Sequence, residues 1–123
     1  MGYLFFIDCE ANGRCPGMGK LTEFGAVSYP SKATFHGILE ERTNSDKKVK
    51  QEKIISEREV FEKFEKWLLK ITKGAQPVFV SDNPAFDWQW INDGFWRILG
   101  RNPFGFSSMN LGSLYKGLVK DTS

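Results

Sequence analysis

The amino-acid sequence predicts an α/β fold: a mixed sheet in which three antiparallel strands lead into a parallel crossover strand, flanked by helices. Three observations carry that expectation. The elements read strand, strand, strand, helix, strand, helix; an unbroken apolar run lies near the N-terminus; and two helix-period stretches have recognisable starts and stops. The 123 residues are the length of one domain, expected to span 1–123. With 41% hydrophobic and 15% aromatic residues the chain can build a dense core, which excludes a disordered polymer.

Tyr3-Leu-Phe-Phe-Ile7 is uninterrupted and rich in aromatic and branched residues, so it predicts a central strand covered on both faces. A polar, Gly-rich loop follows from Ala11 to Lys20. Glu23 to Tyr29 and Thr34 to Leu39 then read as strands joined by a turn at Pro30-Ser31-Lys32. Residues Glu41 to Lys53, with Lys47, Lys48, Lys50 and Lys53, read as a solvated loop. Ser56-Glu-Arg-Glu59 is a capping box, and Val60, Phe61, Phe64, Trp67, Leu68 and Ile71 recur at steps of three and four. A helix is therefore predicted to about Lys73, stopped by Gly74. Val78-Phe-Val80 predicts a short buried strand. Asn83 as N-cap and Pro84 at the first helical position open a second helix, predicted to run to about Leu99 with Phe86, Trp90 and Ile91 on its buried face. Arg101 to Ser108 is predicted irregular, and Met109 to Val119 a weak last helix containing Gly112 and Gly117.

Charge and cysteine content narrow the function classes. There are 17 Lys+Arg and 15 Asp+Glu, a net of +2, so binding to nucleic acid through a general basic surface is excluded. Cys9 and Cys15 have neither the number nor the spacing of a disulfide framework or a zinc site, which suits a reducing compartment. The N-terminal apolar run is too short to span a membrane and lacks a cleavage site, and Phe6 stands where a myristoylation motif needs Ser or Thr. A cytoplasmic protein without a membrane partner is expected.

The chemistry-bearing feature is Asp8-Cys9-Glu10 at the end of the first strand. A period of two puts both carboxylates on one face and Cys9 on the other. Side by side they repel by a few kcal/mol at an effective dielectric of about 20, and a cation relieves that repulsion. Oxygen ligands of this kind suit Mg²⁺ or Mn²⁺. The plainer alternative is a strand running into a polar loop. Asp87, in the first turn of the second helix, adds a third acid if Val78 to Val80 lies beside the first strand; the plainer alternative is an acid complementing a helix dipole.

Phe6-Ile-Asp-Cys-Glu-Ala-Asn-Gly13, Leu21-Thr-Glu-Phe-Gly-Ala-Val27 and Asp82-Asn-Pro-Ala-Phe-Asp87 resemble the first two motifs of the DEDD-type 3′–5′ exonucleases. That superfamily has a ribonuclease H-like fold and includes polymerase proofreading subunits, ribonuclease T and oligoribonuclease. The resemblance covers about residues 3 to 95. It implies two-metal hydrolysis of phosphodiesters at single-stranded RNA or DNA 3′ ends. Asp8 would bridge two Mg²⁺ or Mn²⁺ ions, Glu10 would bind the one that activates water, and Asp87 would support the other. Ala11, Asn12 and Asn83 would meet the terminal nucleotide.

The third motif of that family, an Asp on a C-terminal helix preceded by His or Tyr, has no counterpart here. His36 falls in the predicted third strand, and Asp121 lies six residues after Tyr115 where the tyrosine form of the motif has four. The resemblance therefore implies a domain incomplete at its C-terminus, its last helix missing and its metal site only partly filled. It leaves an apolar surface for a second copy to cover as a homodimer. Two other readings stand beside the exonuclease: an inactive exonuclease-like domain that binds nucleotide, nucleic acid or a protein partner, and a phosphatase with Asp8 as nucleophile.

Overall fold

The computed structural model describes residues 3–39 and 56–112. Strands β1 (Leu4–Ala11), β2 (Leu21–Tyr29) and β3 (Thr34–Ile38) precede helix α1 (Glu57–Thr72), strand β4 (Val78–Ser81), helix α2 (Pro84–Gly94) and strand β5 (Ser108–Asn110). They build one five-stranded sheet in the order β3-β2-β1-β4-β5. β1, β2 and β3 are antiparallel neighbours, β4 is parallel to β1, and β5 is parallel to β4. The predicted mixed sheet and the central place of β1 are both present.

β1 runs four residues beyond the apolar stretch that announces it. Leu4, Phe5 and Ile7 are buried and Phe6 is half-buried, so the apolar run is covered on both faces as expected; beyond it Cys9 is buried while Asp8 and Glu10 are exposed, and the strand is covered on one face. The reason lies in the layers. Among the described residues α1 and α2 pack on the same side, where Phe5, Ile7, Phe24 and Phe79 of the sheet meet Phe61 and Phe64 of α1 and Trp90 and Ile91 of α2 in one core. Aromatic rings fill it closely, with Phe24 and Phe64 4.8 Å apart and Phe61 and Phe95 5.1 Å apart between centroids.

α1 begins as its capping residue dictates, the Ser56 hydroxyl accepting from the Glu59 N–H at 3.1 Å. The reciprocal half of the box gives way to an exposed pair, the Glu59 carboxylate lying 3.8 Å from Lys63. Lys73 closes the helix in the left-handed region at φ 56°, its N–H donating to the Leu69 carbonyl. α2 starts at Pro84 as predicted, but Asn83 occupies the cap position without a side-chain cap bond. Its own N–H donates to Ser81 Oγ at 2.9 Å in a local side-chain turn, and its carbonyl accepts from the Phe86 and Asp87 N–H groups. The predicted long helix is two pieces: α-helix to Gly94, then a π-helical turn from Phe95 to Leu99, ended by Gly100 at φ 74°. Gly94 faces α1 so closely that a Cβ there would overlap the Phe61 ring.

Ser108, Met109 and Asn110 form β5, which corrects the predicted loop and weak helix across those residues. β4 would otherwise be left with an open edge, and main-chain pairing there outweighs the low helix propensity of a Gly-containing segment. The predicted helix from residue 113 onward, together with Tyr115 and Asp121, lies outside the described residues, as does the Lys-rich run of 41–53.

Candidate active site

β1 carries Asp8 and Glu10 on the sheet face opposite the helices. Asp8 stands across from Gly25 of β2, and Gly25 stands across from His36 of β3, so no side chain separates the acid from the imidazole along that row. A Cβ at Gly25 would meet only open space. Glu10 faces Glu23, a like-charge pair that costs stability, and His36 Nε2 lies 3.0 Å from Glu23 Oε2. The register shifts between Glu10 and Ala11, an irregularity of the kind that re-aims side chains near a site. A groove of about 500 Å³ runs over this face past Phe6, Asp8, Gly25, Val80 and Asp82.

Asp87 approaches the same strand from the other side. Pairing of β1 with β4 ends at Phe6 and Val80, so beyond that point the N–H groups of β1 on this side lose their strand partner. Asp87 Oδ1 accepts from the Cys9 N–H at 3.0 Å, and Oδ2 accepts from the Ser81 hydroxyl at 2.6 Å. Asp87 is 2% exposed. Burial pushes its pKa up; the bonds from Ser81 and Cys9 oppose that shift, while the charges of Asp8 and Asp82 add to it. The neighbouring Cys9 thiol is also driven up, chiefly by burial and then by Asp87 and Asp8, which keeps it an inert core residue.

The donor types suit a hard divalent cation, because Asp8, Glu10 and Asp82 offer exposed carboxylates, and Asp8 and Asp82 oppose the charge of the buried Asp87. The three predicted ligands are not drawn into one cluster, however. Among the described residues no group of three or more His, Cys, Asp or Glu is gathered closely enough to hold a metal. Asp87 is turned to β1 and Ser81, whereas Asp8 and Glu10 face the open side.

Asn12 is committed to its own loop. Its N–H donates to the Lys20 carbonyl at 3.0 Å and its Oδ1 accepts from the Lys20 N–H at 2.7 Å. Gly13 and Gly19 pass so closely that a Cβ on Gly13 would lie 2.6 Å from Gly19 Cα, so only glycine closes this loop. Gln89 Nε2 of α2 then donates to the Arg14 carbonyl at 2.8 Å and fastens the loop beside Asp87. Ala11 ends β1 next to it, half-buried. Asn83 lies exposed at the start of α2. Sequence reasoning overlooked Ser81 and Asp82. Ser81 had a signal, since a Ser two residues before Asn-Pro readily forms a side-chain turn.

A central acid pair thus lies on a mixed α/β sheet, with a third acid lodged at a helix start against the same strand. A stretch of 56 residues, 45% of the chain, is 39% identical to a 3′–5′ DNA exonuclease, Cap18, of Escherichia coli. It covers 30% of that protein, less than a third of its length. No family model matches the chain. No helix among the described residues is long and apolar enough to cross a membrane.

Proposed function

We propose that this chain carries the core of a metal-dependent 3′–5′ exonuclease with a ribonuclease H-like fold, acting on single-stranded nucleic-acid 3′ ends. The observation that carries the reading is the placement of Asp8 and Glu10 on the open face of the central strand, with Asp87 bonded to the backbone between them at Cys9. Bound Mg²⁺ or Mn²⁺ supplies charge neutralisation and a lowered pKa for an attacking water. Asp8 and Glu10 would hold the ions, and Asp87, its oxygens already accepting from Cys9 and Ser81, would support the site beside them. The tied loop after Ala11 offers a fixed backbone edge to the terminal nucleotide. DNA is the first substrate to try, because the similar Escherichia coli protein is a DNA exonuclease.

The test is hydrolysis of a single-stranded oligonucleotide with Mn²⁺ by the chain and by Asp8→Ala, with far-UV circular dichroism as a control for folding. Loss of several orders of magnitude in rate is expected in the variant; an equal rate in both overturns the proposal. A second reading, a domain that binds nucleic acid without cutting it, is favoured by the separation of Asp87 from the exposed pair. Metal binding without turnover by the unaltered chain is its signature.

A further inference from the structure

His36 is the only histidine in the chain, and it stands on the same sheet face as the acid pair. Along β3, Phe35 and Gly37 turn to the helices: the Phe35 ring lies 5.0 Å from that of Phe64, and a Cβ on Gly37 would press against Phe24 and Val60. Alternation then puts Thr34, His36 and Ile38 on the open side. The register sets how far the imidazole is from the acids. His36 pairs with Gly25, and Gly25 with Asp8, so two strand spacings, about 10 Å, separate the Cα atoms of Asp8 and His36. Gly25 keeps the row between them open, since a Cβ there would meet nothing within 4 Å. The groove that passes Asp8 continues across Gly25 to Thr34, on the strand that carries His36. With its side chain 57% exposed, His36 is open to that groove's water.

Glu23 holds the ring, its Oε2 lying 3.0 Å from His36 Nε2. A carboxylate only accepts, so in the neutral ring Nε2 carries the hydrogen and Nδ1 is left as an acceptor. Glu23 in turn stands across from Glu10, which joins the His36–Glu23 pair to the acid strand through a second row of the sheet. Among the described residues, the charged groups facing His36 are therefore Glu23 on β2 and, beyond Gly25, Asp8 and Glu10 on β1. Helix α1 packs on the opposite face of β3 through apolar side chains.

Hydrolysis of a phosphodiester leaves the attacking water with a proton to lose, and imidazole is the side chain suited to take one up near neutral pH. Asp87 is a poor acceptor for it, because it is buried and both its oxygens already accept, from Cys9 and Ser81. We propose that His36, oriented by Glu23, accepts the proton of the water that attacks the last phosphodiester in the groove over Gly25. The water oxygen bonds to phosphorus, and the bond from phosphorus to the 3′ oxygen of the preceding nucleotide breaks. That oxygen takes a proton from solvent, and His36 returns its own to solvent. The proposal rests on the exonuclease reading and gives it a proton acceptor.

The experiment has two arms. The first measures kcat and KM for a single-stranded DNA oligonucleotide with Mn²⁺ across the pH range in which imidazole titrates. His36→Gln is expected to lower kcat about 10²- to 10⁴-fold, to leave KM little changed and to abolish the rise of kcat with pH. Glu23→Gln removes an anion that favours the protonated ring, so it is expected to lose less rate and to move that rise to lower pH. The second arm follows the single imidazole signal by proton NMR as small amounts of Mn²⁺ are added without nucleic acid. Paramagnetic broadening of His36 is expected in the parent chain and not in Asp8→Ala. A parent chain that cuts, with His36→Gln cutting as fast or with the same pH profile, overturns the proposal and leaves the exonuclease reading standing. Broadening that persists in Asp8→Ala puts the ion on the His36–Glu23 pair, and its absence from a Mn²⁺-binding parent puts the ion out of reach of His36; either result overturns the proposal. A folded parent chain that never cuts removes the exonuclease reading and the role of His36 with it.

Discussion

At the scale of single residues, Asp87 is where structure and chemistry compete. Its two oxygens complete the hydrogen bonding of Cys9 and Ser81, and burial with Asp8 and Asp82 nearby disfavours its charge. Because its pKa is raised in the folded chain, protonation favours the native state. That contribution is present below the ordinary carboxylate range and is lost as pH rises through the raised value. Asp87→Asn keeps an acceptor for the Cys9 N–H and removes the buried charge. It is predicted to raise the thermal midpoint by a few degrees at pH 8, the gain shrinking toward pH 4; a lower midpoint at pH 8 would contradict this origin of the shift. Ser81→Ala removes a bond that stabilises the carboxylate, so it is predicted to move the Asp87 titration, read by carboxyl carbon NMR, further upward. The acid pair was legible from its spacing alone, since alternation puts Asp8 and Glu10 on one face of any strand. The partners of Asp87 were not, because a backbone N–H left over where two strands part company has no sequence signature.

At the scale of elements, α1 and α2 are locked by close approach and by charge. Glu57 receives both guanidinium nitrogens of Arg97, at 3.0 and 2.8 Å, which holds its carboxyl below the usual range. Gly94 lets α1 approach closely enough for Phe61 to sit against the backbone of α2. Gly94→Ala is accordingly predicted to cost about 1–3 kcal/mol in urea unfolding, despite the better helix propensity of alanine. A neutral or stabilising effect would show that the contact yields without strain. Helix starts were readable because Ser56 and Pro84 act locally. β5 and the π-helical turn were not, since the first depends on the open edge of β4 and the second on how Phe95 and Trp96 divide between core and surface.

At the scale of the whole molecule, the strand order places β1 at the centre, so the acids it carries lie where neighbouring strands and α2 converge. The alternation of apolar runs with helix-period stretches made the mixed sheet foreseeable. The placement of both described helices on one face was not, because periodicity tells which side of an element is buried but not which side of the sheet it covers. That one-sided layering is what leaves Asp8 and Glu10 exposed beside the groove. Exposed acids on the open face of the central strand are accessible to a cation, which is the physical core of the exonuclease proposal.

The most direct measurement follows one single-stranded DNA oligonucleotide, labelled in separate samples at its 5′ and its 3′ end, through a time course with Mn²⁺. The account predicts a ladder shortening one nucleotide at a time from the 5′-labelled strand and immediate release of labelled mononucleotide from the 3′-labelled one, both absent with Asp8→Ala. Internal cuts, mononucleotide release from the 5′ end, or no product from a folded, Mn²⁺-binding chain would contradict it.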